Sequence, residues 1–147
     1  MVATLKGPLA AIARYRGMLG QWSWVAHRVS GLAVLSFLVV HVWDTANATF
    51  WPEAYSYTVE LFKWFPFSIG EIFLMAAVLY HAFNGIRVTL LDFQPSLWEH
   101  EPRIAIITWA VFLLAFIPIG LLMFSRTLGH CAELAAEGLS CFVPPLP

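Results

Sequence analysis

Leu79-Tyr80-His81-Ala82-Phe83-Asn84-Gly85-Ile86-Arg87-Val88-Thr89-Leu90-Leu91-Asp92-Phe93 is an apolar run that carries one imidazole and is closed by an arginine and an aspartate. An ionisable side chain at membrane depth costs a few kcal/mol, so by default it faces a bundle interior and marks a functional position. Gly85 follows His81 by four residues and shares its helical face. It is expected to leave room beside the ring for something large and flat.

The chain around this run has 147 residues, of which 60% are hydrophobic and 12% charged, and its mean hydropathy is +0.74. An average soluble domain carries roughly 25% charged residues. Three apolar segments, at about 27–49, 67–91 and 104–124, reach the length of roughly 20 residues that crosses hydrocarbon. The chain therefore reads as an all-α membrane protein with three transmembrane helices in one membrane-anchor domain, and what remains is too short for a soluble catalytic domain. A net charge of -1 leaves no footprint for nucleic acid. Neither a glycine-rich phosphate loop nor a zinc-type cysteine cluster is present.

Residues 1–26 hold Lys6, Arg14 and Arg16 without the apolar core of a signal peptide. They are expected to lie at the membrane surface, with Trp22 and Trp24 at headgroup level. His27 and Arg28 stand at the entrance of the first span and His41 lies deep in it, fourteen residues on. That separation is about 21 Å along a helix and returns to the same face. Ser30, Gly31, Val34, Leu38 and His41 form one narrow stripe, suited to protein or cofactor rather than lipid. Asp44 sits one turn beyond His41.

The loop 52–66 reads as an interfacial turn with a short amphipathic helix, and 92–103 as a polar loop. The third span has no ionisable residue, and Pro118 is expected to kink it. The tail 125–147 reads as non-helical towards its Pro144-Pro145-Leu146-Pro147 end. Lys and Arg divide six on the side of the N-terminus and second loop against two on the other side. This places the N-terminus in the cytoplasm and the C-terminus outside. Cys131 and Cys141 then fall in an outer compartment that permits a disulfide, the other reading being two free thiols. His100 and His130 read as solvent-exposed.

Two deep histidines on inward stripes suit axial ligation of haem iron, which takes imidazoles from different helices. The partner of His81 is His41 or a residue of another subunit, and His41 alternatively serves a second haem. The competing reading makes both histidines core residues. Arg28 and Arg87 suit haem propionates, because Arg is a fork-shaped carboxylate partner, and positive-inside anchoring also explains each. Trp24, His27, Arg28 and Ser30 together offer the aromatic surface and donors that a quinone needs.

Ser23-Trp24-Val25-Ala26-His27-Arg28-Val29-Ser30-Gly31, with Tyr80-His81-Ala82-Phe83-Asn84-Gly85-Ile86-Arg87 and Asp92-Phe93, resembles the cytochrome b membrane-anchor family of succinate dehydrogenases (succinate:quinone oxidoreductases) over about residues 20–125. The resemblance implies a subunit that does not itself oxidise succinate. Such a subunit anchors a flavoprotein carrying FAD and an iron–sulfur subunit to the membrane, and with a second membrane-anchor subunit it forms the haem b and quinone sites.

Carried over, His81 matches the haem axial ligand, and His27 and Arg28 match the pair near propionates and quinone. His41 is similar to the first-helix histidine of two-haem members, so one haem or two is implied. Val88 stands where many members have a second histidine, and Ser23 stands one residue away from the usual position of the quinone serine. The implied home is a bacterial cytoplasmic membrane. The main alternative is a haem-free anchor or assembly subunit of a respiratory complex. A small ion or proton transporter using His41 and Asp44 as a relay is less well matched, since the spans lack broken helix pairs.

Overall fold

A computed structural model of the protein describes residues 19–142. The described residues are helical, with no strand. Helix α1 spans Leu19–Phe50, α2 Pro52–Phe62, α3 Phe65–Phe93 and α4 Glu101–Ala136, with a 3₁₀ segment Pro95–His100 ahead of α4. Prolines set the starts. Pro52, Pro66 and Pro102 each occupy the first or second position of a helix, where a missing N–H costs nothing. Trp51, just before Pro52, leaves helical geometry at φ -143°, ψ 74°, as steric pressure from a following proline requires.

Among the described residues three helices are long and apolar enough to cross a membrane, matching the three expected spans. Each is longer than expected. Helix α1 is already formed at Leu19, the first described residue, so Trp22 and Trp24 stand on the same helix as His27. Lys6, Arg14 and Arg16 lie outside the described residues, as does 143–147.

Helix α4 continues twelve residues past 124, to Ala136, so the polar first half of the tail prolongs the helix of the third span, while the proline-rich end at 144–147 lies outside the described residues. Loss of hydropathy does not end a helix that meets no breaker. The end comes at Gly138, whose φ of +75° is the left-handed geometry of a C′ residue. The N–H groups of Gly138 and Leu139 close back onto the carbonyls of Ala135 and Leu134 at 3.1 and 2.9 Å, a Schellman termination. Pro118 is held inside α4, which stays continuous around it.

Helix α3 is the middle member and packs against both α1 and α4. Ser23, only 1% exposed, is the knot of the core. Its carbonyl accepts from the Tyr80 hydroxyl and its hydroxyl accepts from the Trp109 indole, each at 3.0 Å. Tyr80, Trp109 and Phe112 pack ring on ring around it, with Tyr80 and Trp109 centroids 4.7 Å apart. One serine thus joins all three spans.

Cys131 and Cys141 form a disulfide. The Cys141 carbonyl accepts the Phe65 N–H at 3.3 Å, so the bond fastens the turn after α4 to the start of α3.

Candidate functional site

His27 to Gly31, one turn of α1, faces His81 of α3. The His81 Nδ1–H donates to the His27 carbonyl at 3.1 Å and lies 3.3 Å from Ser30 Oγ. The Ser30 hydroxyl donates to that same carbonyl at 3.0 Å. A carbonyl only accepts, so the proton of the neutral ring is on Nδ1 and the Nε2 lone pair is free. Nε2 has no hydrogen-bond partner among the described residues.

Gly31 is the residue that lets the ring approach, since a Cβ there would stand 2.9 Å from His81 Cε1. Gly85, expected to leave room for something flat beside His81, borders the His27 ring at ordinary contact distance. A Cβ on Gly85 would meet His27 Cε1 at 3.6 Å. The flat group beside His81 is therefore the His27 ring, stacked at 4.1 Å between centroids and 3° between planes.

An oriented imidazole with a free Nε2 fits an axial ligand of haem iron, because a hydrogen bond at the other nitrogen is how ligating histidines are held. Among the described residues no three His, Cys, Asp or Glu side chains gather as a metal cage. A porphyrin brings four nitrogens of its own and asks the protein only for axial groups.

His41 does not come to this place. It is exposed on α1 and stacks on Phe37 at 5.1 Å. It stands ten residues past Gly31, about 15 Å of helix rise. His41 and His81 of one chain therefore cannot grip one iron from opposite sides. The stripe expected to run from Ser30 to His41 divides: Ser30 is buried, whereas Leu38 is 48% exposed. His41 and the buried Asp44 line a separate cavity of about 640 Å³ at the other end of the bundle, with Tyr55 of α2 and Glu71 of α3.

Beside the His27–His81 stack, at the bundle end nearer the N-terminus, a cleft of about 540 Å³ opens between α1, α3 and the start of α4. Trp24, His27, Arg28, Asn84, Arg87 and Glu101 line it, with Asp92 and Trp98. The Arg28 guanidinium lies 4.0 Å over the Trp24 ring, a cation–π contact that holds both at the mouth. Ser23 and Ser30 do not line the cleft, because their hydroxyls are engaged in the core and at the His27 carbonyl.

Arg87 is buried, ion-paired with Glu101 and bonded through Nη1 to Asn84 Oδ1 at 3.1 Å. Gly20 makes space for this pair, since a Cβ there would fall 2.6 Å from Glu101 Oε1. Sequence reading missed Asn84, although His81, Asn84, Arg87 and Leu91 repeat at three to four residues. It also missed Glu101, which meets Arg87 only because the 3₁₀ segment turns α4 back. No spacing rule carries that contact.

A family model described as succinate dehydrogenase/fumarate reductase transmembrane subunit matches residues 9–123. The chain is 42% identical over 113 residues to succinate dehydrogenase 2 membrane subunit SdhC of Mycobacterium tuberculosis, covering 74% of this chain and 80% of that protein. It is 29% identical over 110 residues to a succinate dehydrogenase hydrophobic membrane anchor subunit of Archaeoglobus fulgidus, covering 75% and 93%. A protein of the same description from Halobacterium salinarum is 22% identical over 102 residues, covering 67% and 78%.

Proposed function

Because the chain belongs to the family of succinate dehydrogenase/fumarate reductase transmembrane subunits, we propose that its own part in the complex is to carry a haem b on His81 and one wall of a quinone site in the cleft beside it. One observation carries the reading: a single turn of α1 serves both places. The carbonyl of His27 and the hydroxyl of Ser30 orient His81, while the side chains of Trp24, His27 and Arg28 line the cleft. Cofactor and substrate then sit within a few ångströms of the same backbone.

The chain offers quinone a flat aromatic surface at Trp24 and Trp98 and a donor at Arg28, which suits a planar ring with carbonyl oxygens. A haem, when bound, supplies a one-electron carrier in the membrane. His81 would hold it, and any second ligand would have to come from another subunit, since His41 is out of reach. His41 remains a candidate ligand of a second haem beside the other cavity. Arg28 is the cation open to a haem propionate, and Arg87 reaches one only by sharing or leaving Glu101.

The partners are a flavoprotein with FAD, an iron–sulfur subunit and a second membrane anchor. The orientation is N-terminus to the cytoplasm in a bacterial cytoplasmic membrane, which the six-to-two division of Lys and Arg supports.

The test is Arg28→Leu in the intact complex. Quinone reduction falls well below that of the parent while succinate oxidation by an artificial dye is kept. Equal loss of both points to failed assembly instead. A second reading, a haem-free anchor whose histidines serve packing, has the face-to-face His27–His81 stack in its favour. Absence of a Soret band from the purified complex would establish it.

A further inference from the structure

We propose that the Asn84 carboxamide donates a hydrogen bond to an acceptor oxygen of the molecule held in the cleft, with Arg87 and Glu101 as positioning residues behind it; this rests on the cleft reading above. Asn84 is 1% exposed and lines the cleft. Its Oδ1 is taken by Arg87 Nη1, which is itself anchored through Nη2 to Glu101. The relay decides which end of the amide is free: Nδ2 is buried with no partner. A buried donor left unmade is a standing cost to the fold, one that a bound acceptor removes. His27 Nδ1 and Arg87 Nε, in two other lining residues, are also buried without partners.

Both cleft arginines are matched by an acid among the lining residues, Arg28 and Arg87 against Asp92 and Glu101. A lining with no excess charge favours a neutral carbonyl, as on a quinone, over a carboxylate. A haem propionate presents the same acceptor chemistry, and the experiment separates the two.

The intact complex is purified with Asn84→Ala and with the isosteric Asn84→Asp, which exchanges donor for acceptor. KM is measured for short-chain benzo- and naphthoquinones, alongside dye-linked succinate oxidation, haem content and haem midpoint potential. Loss of one hydrogen bond of about 1.4 kcal/mol raises the quinone KM about tenfold, more in Asn84→Asp, with dye activity and midpoint potential unchanged. A shifted midpoint potential at unchanged KM identifies the acceptor as a propionate. If Asn84→Ala does not assemble, Asn84→Asp carries the comparison. Unchanged KM and unchanged potential in an assembled Asn84→Asp complex overturn the proposal, leaving Nδ2 to a structural water. Arg28→Leu run in parallel separates the two levels: if it too leaves the quinone KM untouched, the cleft reading falls, whereas an effect there alone removes only the role of Asn84.

Discussion

Gly31 and His81 meet across α1 and α3 at a separation that excludes a methyl group, so this glycine sets where the imidazole points. Gly31→Ala is expected to push the ring aside and lower the haem retained per complex while the chain stays inserted. A reduced-minus-oxidised spectrum normalised to protein checks this, and full haem retention would mean that the ring has slack. Glu101 is a second such residue. Removing it leaves the guanidinium of Arg87 buried and unpaired, so Glu101→Ala should destabilise the solubilised complex by about 3 kcal/mol, the low end for a buried pair, because Glu101 keeps 21% exposure. Glu101→Gln, which still accepts a hydrogen bond, should lose less in a thermal melt. His81, His27 and Arg28 are legible in the sequence because polar groups stand out in an apolar helix. Gly31 shows there only as part of a stripe, and its contact with His81 depends on how α1 is rotated against α3, which no one-dimensional pattern states.

Among the elements, the spans were legible and their ends were not. Apolar length marks what lies in hydrocarbon, and helix α4 passes beyond it, from Phe124 to Ala136, because helix propensity outlasts hydropathy there. The loop helix α2 at Pro52–Phe62 matches the expected short amphipathic helix, since Pro52 fixes its start. The disulfide is an open choice in the sequence and becomes a clamp in three dimensions, holding the turn after α4 against Phe65 and Phe142 against the Phe65 ring at 4.9 Å. Alkylation should find no free thiol on Cys131 or Cys141 until the protein is reduced. Closing so short a loop contributes on the order of 2–3 kcal/mol. The Cys131→Ser, Cys141→Ser double variant should therefore be cut by protease between Glu137 and Phe142 while the membrane-spanning fragments stay whole. An uncut turn in that variant would show that the disulfide is not what holds it.

At the scale of the whole molecule, three helices bury very little. Val29, Trp43, Phe73 and Leu114 are 62%, 70%, 72% and 78% exposed, a surface for lipid and for other subunits. Polar groups concentrate instead at two cavities at opposite ends of the bundle. His81 has an oriented ring and, among the described residues, one imidazole near it, which is stacked flat against it rather than placed across an iron. The chain is thus built to be completed by a partner, and expressed without one it should insert but hold less haem than the complex, measurable as haem per chain. The most direct measurement is the pyridine haemochrome content and reduced-minus-oxidised spectrum of the purified complex, parent and His81→Ala side by side. Haem b is expected in the parent, and its loss from His81→Ala with every subunit still present. An unaltered spectrum in His81→Ala, or no haem in the parent, would contradict this expectation.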